Sequence, residues 1–360
     1  MDAEDPVELT ARLASIPSHE APTAAADAIE DWLRARTDAT VERNADNVIA
    51  RRGSGDPSLA LVGHHDVVPP ADRQVTDDGY LIQRRDGRLY GRGTADMKGS
   101  LAAAMVAFGE SDPPGELVFA SFYGEEQGGI GCRAAIEAGF AVDRAVVCEG
   151  STGYSAPGVT DVAVAHKGRR ETAVVAVGDA AHASEPARGE NAIYRAADAV
   201  DVVRDLEEPS AEILGNAVEG SLVVTEIDGG SARNVVPERC AVTVDERTVP
   251  GRRAELERVE SIDGVSWRVV DDLPPMACGD PEFAAAAVDA ARHVADDGRP
   301  ETVVKPHATD AGWLAAEGVD CVVCGAAEPG EAHTATESVS IDVLRRCRRI
   351  YRKIAETHAG

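Results

Sequence analysis

Lysine is scarce in this chain. Of its 36 basic residues only Lys98, Lys167, Lys305 and Lys353 are lysines, against 63 acidic residues. The resulting net charge of −27 excludes nucleic acid and anionic membrane as partners, since both would be repelled. The acidity is spread along the chain rather than gathered in a tail. Together with the lysine shortage, this looks like a protein from a salt-accumulating, halophilic archaeal cell, where high ionic strength screens self-repulsion. No run of about 18 apolar residues occurs, so no membrane span is expected. The start, Met1-Asp2-Ala3-Glu4-Asp5, lacks the basic and apolar regions of a signal peptide. The seven cysteines are odd in number and follow no scaffold spacing, which suits a reducing compartment, and a cytoplasmic location is expected. Cys321-x-x-Cys324 could be half a zinc ribbon or a redox pair, but no second pair accompanies it and Val319 to Cys324 reads as a buried strand.

At 360 residues the chain is long enough for two domains with separate cores. The first half alternates helical and strand patterns. Pro6 to Thr37 has helical spacing, Asn47 to Arg51 is strand-like, and Leu59 to Gly63 is an apolar run ending at His64. Met97 to Phe108 is an Ala-rich helix, and the strands Glu116–Phe122 and Ala145–Cys148 run into further acidic residues. Such alternation implies an α/β fold with a mixed, mostly parallel sheet and helices on both faces. From about Gly168 the texture changes. Strands near Glu171–Val177, Ser221–Ile227, Cys240–Arg247 and Val265–Val270 are interleaved with helices at Asn191–Leu206 and Arg252–Ser261, giving the β-α-β-β-α-β order of a ferredoxin-like α+β domain. The helices Pro281–Ala295 and Ile341–His358 then resume the first pattern. The expected division is a catalytic domain over 1–167 and 274–360, with 168–273 inserted.

Five short segments end in metal-binding side chains: Gly63-His64-His65-Asp66, the glycine-rich turn Gly91 to Asp96, Gly124-Glu125-Glu126, Cys148-Glu149-Gly150 and Ala332-His333-Thr334. Several lie just past the ends of expected strands, where open α/β sheets place their sites. Two imidazoles and three carboxylates can hold two divalent ions with one carboxylate shared. A further carboxylate is left to move protons, which points to hydrolysis. Asp66, two residues after His64, is placed to fix the other ring nitrogen of a ligating histidine, and His65 between them should point away. Asp96 read alone is an N-cap. Of the adjacent Glu125 and Glu126, one can ligate while the other accepts a proton from water.

Gly63-His64-x-Asp66-Val67-Val68-Pro69, Gly91-Arg92-Gly93-x-x-Asp96-Met97-Lys98-Gly99, Gly124-Glu125-Glu126 and Ala332-His333-Thr334-x-x-x-Glu337 together resemble the M20 metallopeptidase family, from about residue 60 to the C-terminus. The resemblance implies that His64 and Glu149 hold one metal, Glu126 and His333 the other, with Asp96 bridging and Glu125 as general base. It implies two divalent ions; Zn²⁺ suits a mixed His/carboxylate set, and Co²⁺ or Mn²⁺ can substitute. The inserted domain matches the family's lid and dimerisation domain. His182, in Ala181-His182-Ala183-Ser184-Glu185-Pro186, then reaches a neighbouring subunit's site in a homodimer and stabilises the oxyanion. Asn234 contacts substrate, and Arg247, assisted by Arg169 or Arg170, binds a substrate carboxylate. The implied reaction frees an amino acid from a small N-acyl amino acid, as in succinyl-diaminopimelate desuccinylases and acetylornithine deacetylases. Exopeptidases for di- and tripeptides, carboxypeptidase G-like enzymes and carrier-protein lysine or ornithine hydrolases are the alternatives.

Overall fold

The computed structural model describes residues 4–77, 79–296 and 298–357, so Met1 to Ala3 of the acidic start and His358 of the expected last helix lie outside the described residues. The chain divides into two compact units. The first comprises residues 1–165, 276–305 and 309–360, and the second 166–275 with 306–308.

A nine-stranded sheet organises the first unit. Its order runs Thr40–Asn44, Asn47–Arg52, Leu117–Phe122, Leu59–His64, Arg144–Val147, Asp320–Val323, Val162–His166, Met276–Ala277, with Thr302–Lys305 paired to Val162–His166. The three central pairings, which join Leu117–Phe122, Leu59–His64, Arg144–Val147 and Asp320–Val323, are parallel. The flanking Thr40–Asn44, Asn47–Arg52 and Val162–His166 pair antiparallel, so the sheet is mixed with a parallel centre, as the alternating pattern predicts.

Burial on both faces explains why the central strands read as continuous apolar runs. Leu59 and Leu61 join one core with Leu117, Phe119 and Val146, while Ala60 and Val62 join another with Val118, Ala120 and Val147. The first core is covered by helices Pro6–Ser15, Thr23–Arg36, Lys98–Glu110, Pro281–Val294 and Ile341–Thr357, the second by Ile130–Glu137 and Asp310–Ala316. The last helix shows the reason for its orientation in its spacing. Leu344, Cys347, Ile350, Tyr351 and Ile354 form the buried stripe, Tyr351 donates to the Cys324 carbonyl at 2.8 Å, and arginines occupy the outer face. Cys321 and Cys324 are buried and free, in keeping with a packed strand rather than a zinc ribbon. Among the described residues no helix is long and apolar enough to cross a membrane.

In the second unit four antiparallel strands run in the order Ser221–Gly229, Arg239–Arg247, Arg169–Val177, Val265–Leu273. Helix Ala192–Arg204 packs Ala192, Ala196, Ala199 and Val203 onto Val174, Ala176, Val242 and Val244. The expected helix over Arg252–Ser261 is reduced to a 3-10 segment, Leu256–Ser261. Glu255, at φ −79 and ψ 58, lies outside the helical region, so the turn can begin only at Leu256, and the Ala254 amide before it donates to Glu246 Oε1 at 2.7 Å.

Helix Lys98–Glu110 is buried on every side from Lys98 to Phe108, and its glycine and alanine residues let neighbouring segments approach closely. A Cβ on Gly99 would lie 2.3 Å from the Thr94 carbonyl oxygen and 2.9 Å from Leu344 Cδ2. Gly99→Ala is therefore expected to lower unfolding free energy by about 1–3 kcal/mol, measured by denaturant titration. A variant as stable as wild type would show that the Gly91–Asp96 turn shifts freely.

Candidate metal centre

Three parallel strands end side by side. His64 is the last residue of its strand and lies in register with Phe122. Glu125 and Glu126 follow Phe122 after a tight turn, and Glu149 stands two residues past Val147. Two further chain segments complete the cluster, the turn carrying Asp96 and the loop carrying His333. His333 is a non-glycine residue at φ 61, a strained backbone region in which side chains are often held for function.

The Asp96 carboxylate lies between the two imidazoles. Its Oδ1 is 3.1 Å from His64 Nε2 and its Oδ2 is 3.1 Å from His333 Nε2. His64 Nε2 also meets Glu149 Oε1 at 3.1 Å, and His333 Nε2 meets Glu126 Oε1 at 2.9 Å. Each histidine nitrogen thus faces two carboxylates, one of them shared. Helix Lys98–Glu110 starts at Lys98 with Met97 as its cap residue and no side-chain cap bond. Asp96 is consequently no N-cap, and both its oxygens serve the imidazoles.

The tautomer of His64 gives a test of fit. Its Nδ1 lies 3.0 Å from the Asp66 backbone carbonyl, which can only accept, so Nδ1 carries the proton. The lone pair of Nε2 then points at two carboxylate oxygens, an arrangement that requires a cation there, either a proton or a metal. Burial alone would depress the His64 imidazole, but Asp66, Asp96 and Glu149 outweigh it and hold its pKa well above the ordinary value. Hydrogen bonds from His333 to the Asp96 and Glu126 carboxylates raise its pKa to about 10. Burial would raise Asp96, yet His333 and His64 hold it below the usual carboxylate range. Two divalent cations satisfy the same donors, and the set fits them.

Asp66 stands beside the other ring nitrogen of His64, as its spacing suggests, and has a second task. Its carboxylate stands 3.4 Å from His64 Nδ1, farther than its own backbone carbonyl. The oxygens also accept from the amides of Glu125 and Glu126, each at 3.2 Å, and so fix the glutamate turn. His65 points away, as expected, with Nδ1 2.8 Å from Ser121 Oγ. Glu125 is held well above the usual carboxylate range by burial, with the charges of Glu149, Asp310 and Glu126 adding to the effect.

Two neighbours escaped the sequence reading. Lys305, at the end of its strand, donates to the Gly150 carbonyl at 2.9 Å and sits 4.0 Å from Glu149 Oε2. Asp310 is buried, and neither carboxylate oxygen has a hydrogen-bond partner among the described residues. It packs where a Cβ on Gly129 would lie 2.9 Å from its Oδ1, and Gly129 itself needs φ 73. Its only local signal is Thr309-Asp310, which looks like any helix start.

The four remaining expected residues lie in the second unit. His182 is exposed, with Nδ1 2.6 Å from Ser184 Oγ and Nε2 3.5 Å from Asn234 Nδ2. Arg169 and Arg247 converge on Asp245, each through Nε at 2.9 Å. Arg170 turns to Asp272 instead.

Burial raises Asp310 from 3.8 to about 7, so its contribution to stability is fully present below the unfolded value and is lost as pH rises through the folded one. Asp310→Asn is expected to raise the thermal midpoint of the metal-free protein at about pH 8.5, with the gain fading by about pH 4. Equal shifts at both pH values would show that the ionised carboxylate is not the source of the penalty.

Comparison with known proteins agrees with this geometry. The description of the peptidase family M20/M25/M40 matches residues 60–357. The chain is 31% identical over 346 residues to an acetylornithine deacetylase of Myxococcus xanthus, covering 90% of this chain and 86% of the relative. It is 30% identical over 340 residues to a succinyl-diaminopimelate desuccinylase of Stenotrophomonas maltophilia, covering 86% of each. Among solved structures, an aminopeptidase of Bacillus cereus superposes with a TM-score of 0.81 at 19% identity, covering 100% of both chains. A Bacillus subtilis protein described as a dinuclear metal-binding M20 peptidase superposes at 0.71 with 16% identity, covering 97% of this chain and 96% of that one. The chain belongs to the peptidase family M20/M25/M40 and is a metal-dependent amide hydrolase.

Proposed function

We propose that this enzyme is a binuclear amidohydrolase that frees an amino acid from an N-acyl amino acid, with succinyl-diaminopimelate or N-acetylornithine as substrate. The observation that carries the binuclear part is the Asp96 carboxylate, which offers one oxygen to each half of the site. The substrate class rests on the two relatives at 30% and 31% identity.

In this reading His64 and Glu149 hold one cation, Glu126 and His333 the other, and Asp96 both. Divalent cations held by these residues, Zn²⁺ by the donor set, would supply Lewis-acid charge for the scissile carbonyl and for water. Glu125, left without an imidazole partner, accepts the proton of the attacking water and returns it to the leaving amine. Its raised pKa suits both transfers. Asp66 keeps Glu125 and Glu126 in register through their amides.

His182, Asn234, Arg247 and Arg169 bind the substrate and its developing oxyanion, with His182 supplied to the site by the second subunit of a homodimer. The exposure of His182 and of Val223 and Val270 on the second unit supports such a surface. Arg247 spends Nε on Asp245, which leaves donors of its fork for a carboxylate.

Hydrolysis of N-succinyl-diaminopimelate, N-acetylornithine and a simple dipeptide, each in molar KCl with added Zn²⁺ or Co²⁺, tests the reading. One acyl substrate should be cleaved, and Glu125→Ala should lower kcat by about 10²–10⁴-fold while both metals remain bound. His182→Ala should cost about 10²–10³-fold in kcat without loss of metal. Cleavage of the dipeptide alone would replace the deacylase reading with an exopeptidase. Full activity of Glu125→Ala would remove the assigned base.

A further inference from the structure

We propose that Arg92 and Glu337 are positioning residues for the metal pair, a buried strut that fixes the shared carboxylate of Asp96 relative to His333 and to the segment after Asp66. The proposal rests on the binuclear reading given above.

Arg92 and Glu337 are 3% and 1% exposed, 245 residues apart in sequence, and joined by a hydrogen bond from Arg92 Nη1 to Glu337 Oε2. Every other contact they make runs to a ligand-bearing segment. Glu337 Oε1 accepts from the amides of Ala95 and Asp96 at 3.0 and 3.2 Å, so one oxygen sets the backbone from which the shared carboxylate projects. The Glu337 carbonyl accepts from the Gly91 amide at 3.0 Å, at the start of the same turn. The Glu337 amide donates to the Thr334 carbonyl at 3.3 Å, next to His333. Arg92 Nη2 donates to the Pro69 carbonyl at 3.2 Å, on the segment that leaves His64 and Asp66.

One ion pair thus ties together the chain segments that supply His64, Asp96 and His333. A carboxylate shared between two imidazoles is sensitive to placement, since a shift toward one ring is a shift away from the other. Strand ends fix His64 and Glu149, but the Asp96 turn and the His333 loop belong to no central strand. Among the described residues they are tied to each other by this pair, by the strand pairing of Ser338 with Tyr90 beside it, and by the ion pair of Arg88 with Glu331. Outer partners of this kind typically alter metal affinity or activity by about 10–100-fold when removed.

An ion pair kept only for the fold would behave differently. Replacing both members of a buried pair by apolar side chains of similar volume is often neutral or stabilising. The double variant Arg92→Met with Glu337→Met therefore separates the two roles. The full-length chain, stripped by chelator, would be titrated with Zn²⁺ alone by calorimetry and with Co²⁺ by visible absorption, beside thermal unfolding and kinetics.

The expected result is a double variant that still unfolds cooperatively, with a lowered thermal midpoint because the Ala95 and Asp96 amides lose their acceptor, one tight Zn²⁺ equivalent, and a second bound about 10–100-fold more weakly. The Co²⁺ spectrum of that second equivalent should change, and kcat should fall over the same range with little change in KM. A folded double variant with two tight equivalents and wild-type kcat would overturn the proposal. If the double variant does not fold, Glu337→Asp decides, because it keeps the charge facing Arg92 while withdrawing the acceptor from the Ala95 and Asp96 amides by one methylene. A weakened second equivalent supports the strut, and unaltered affinity overturns it. Wild type taking up fewer than two Zn²⁺ would instead overturn the binuclear reading, and the strut with it.

Discussion

Repulsion among carboxylates is the constraint on which this molecule's active unit depends. Asp66, Asp96, Glu125, Glu126, Glu149 and Asp310 are gathered about the imidazoles of His64 and His333, with the ammonium groups of Lys305 and Lys98 at the margin. Two like charges 4 Å apart at an effective dielectric of 20 repel by about 4 kcal/mol, so such a cluster cannot be left to itself. Each carboxylate is answered separately. Asp66 receives two backbone amides, Asp96 two imidazoles, Glu126 one imidazole, and Glu149 an imidazole and the nearby Lys305. Glu125 and Asp310 receive neither, and burial pushes both toward the protonated form. Negative charge still exceeds positive, which is why divalent cations belong in the account of the fold as well as of the chemistry.

The cost of holding these groups together is met by rigid elements. His64, Glu125, Glu126 and Glu149 follow strands buried on both faces, and those strands cannot slide without exposing a core. Parallel pairing brings their C-terminal ends to one edge, so the convergence of donors follows from topology and needs no special loop. Asp96 and His333 have no such anchor. They are placed by hydrogen bonds to buried side chains, and their geometry is correspondingly the more vulnerable part of the site.

That division also explains what the sequence makes legible. An apolar run followed by Gly and an acid or histidine is a local pattern, and the sheet, the strand ends and the candidate ligands follow from it. Roles that depend on distant juxtaposition are not visible. Thr309-Asp310 is a helix start by every local sign, because the bare carboxylate is buried by residues far away in sequence. Asp66 is the right residue beside His64, yet the nearer acceptor is its backbone carbonyl, a choice that side-chain spacing cannot express. The helix expected from Arg252 begins only at Leu256, because Glu255 takes non-helical dihedrals that its side chain does not announce.

The net charge of −27 sets a further condition on any anionic substrate. An N-acyl amino acid carries at least one carboxylate and is repelled by the mean field of this chain, an effect that fades once ionic strength shortens the screening length below about 10 Å. Local cations must then do what the mean field opposes. Arg169 donates Nε to Asp245 and Nη2 to Glu171, and Arg247 donates Nε and Nη2 to Asp245, so the acidic side chains hold both guanidinium planes. An acidic residue between two arginines thus serves to orient them. Asp245 and Glu171 between them match the two guanidinium charges, so a preference for an acidic ligand at this place would come from the direction of the remaining N–H donors and not from net charge.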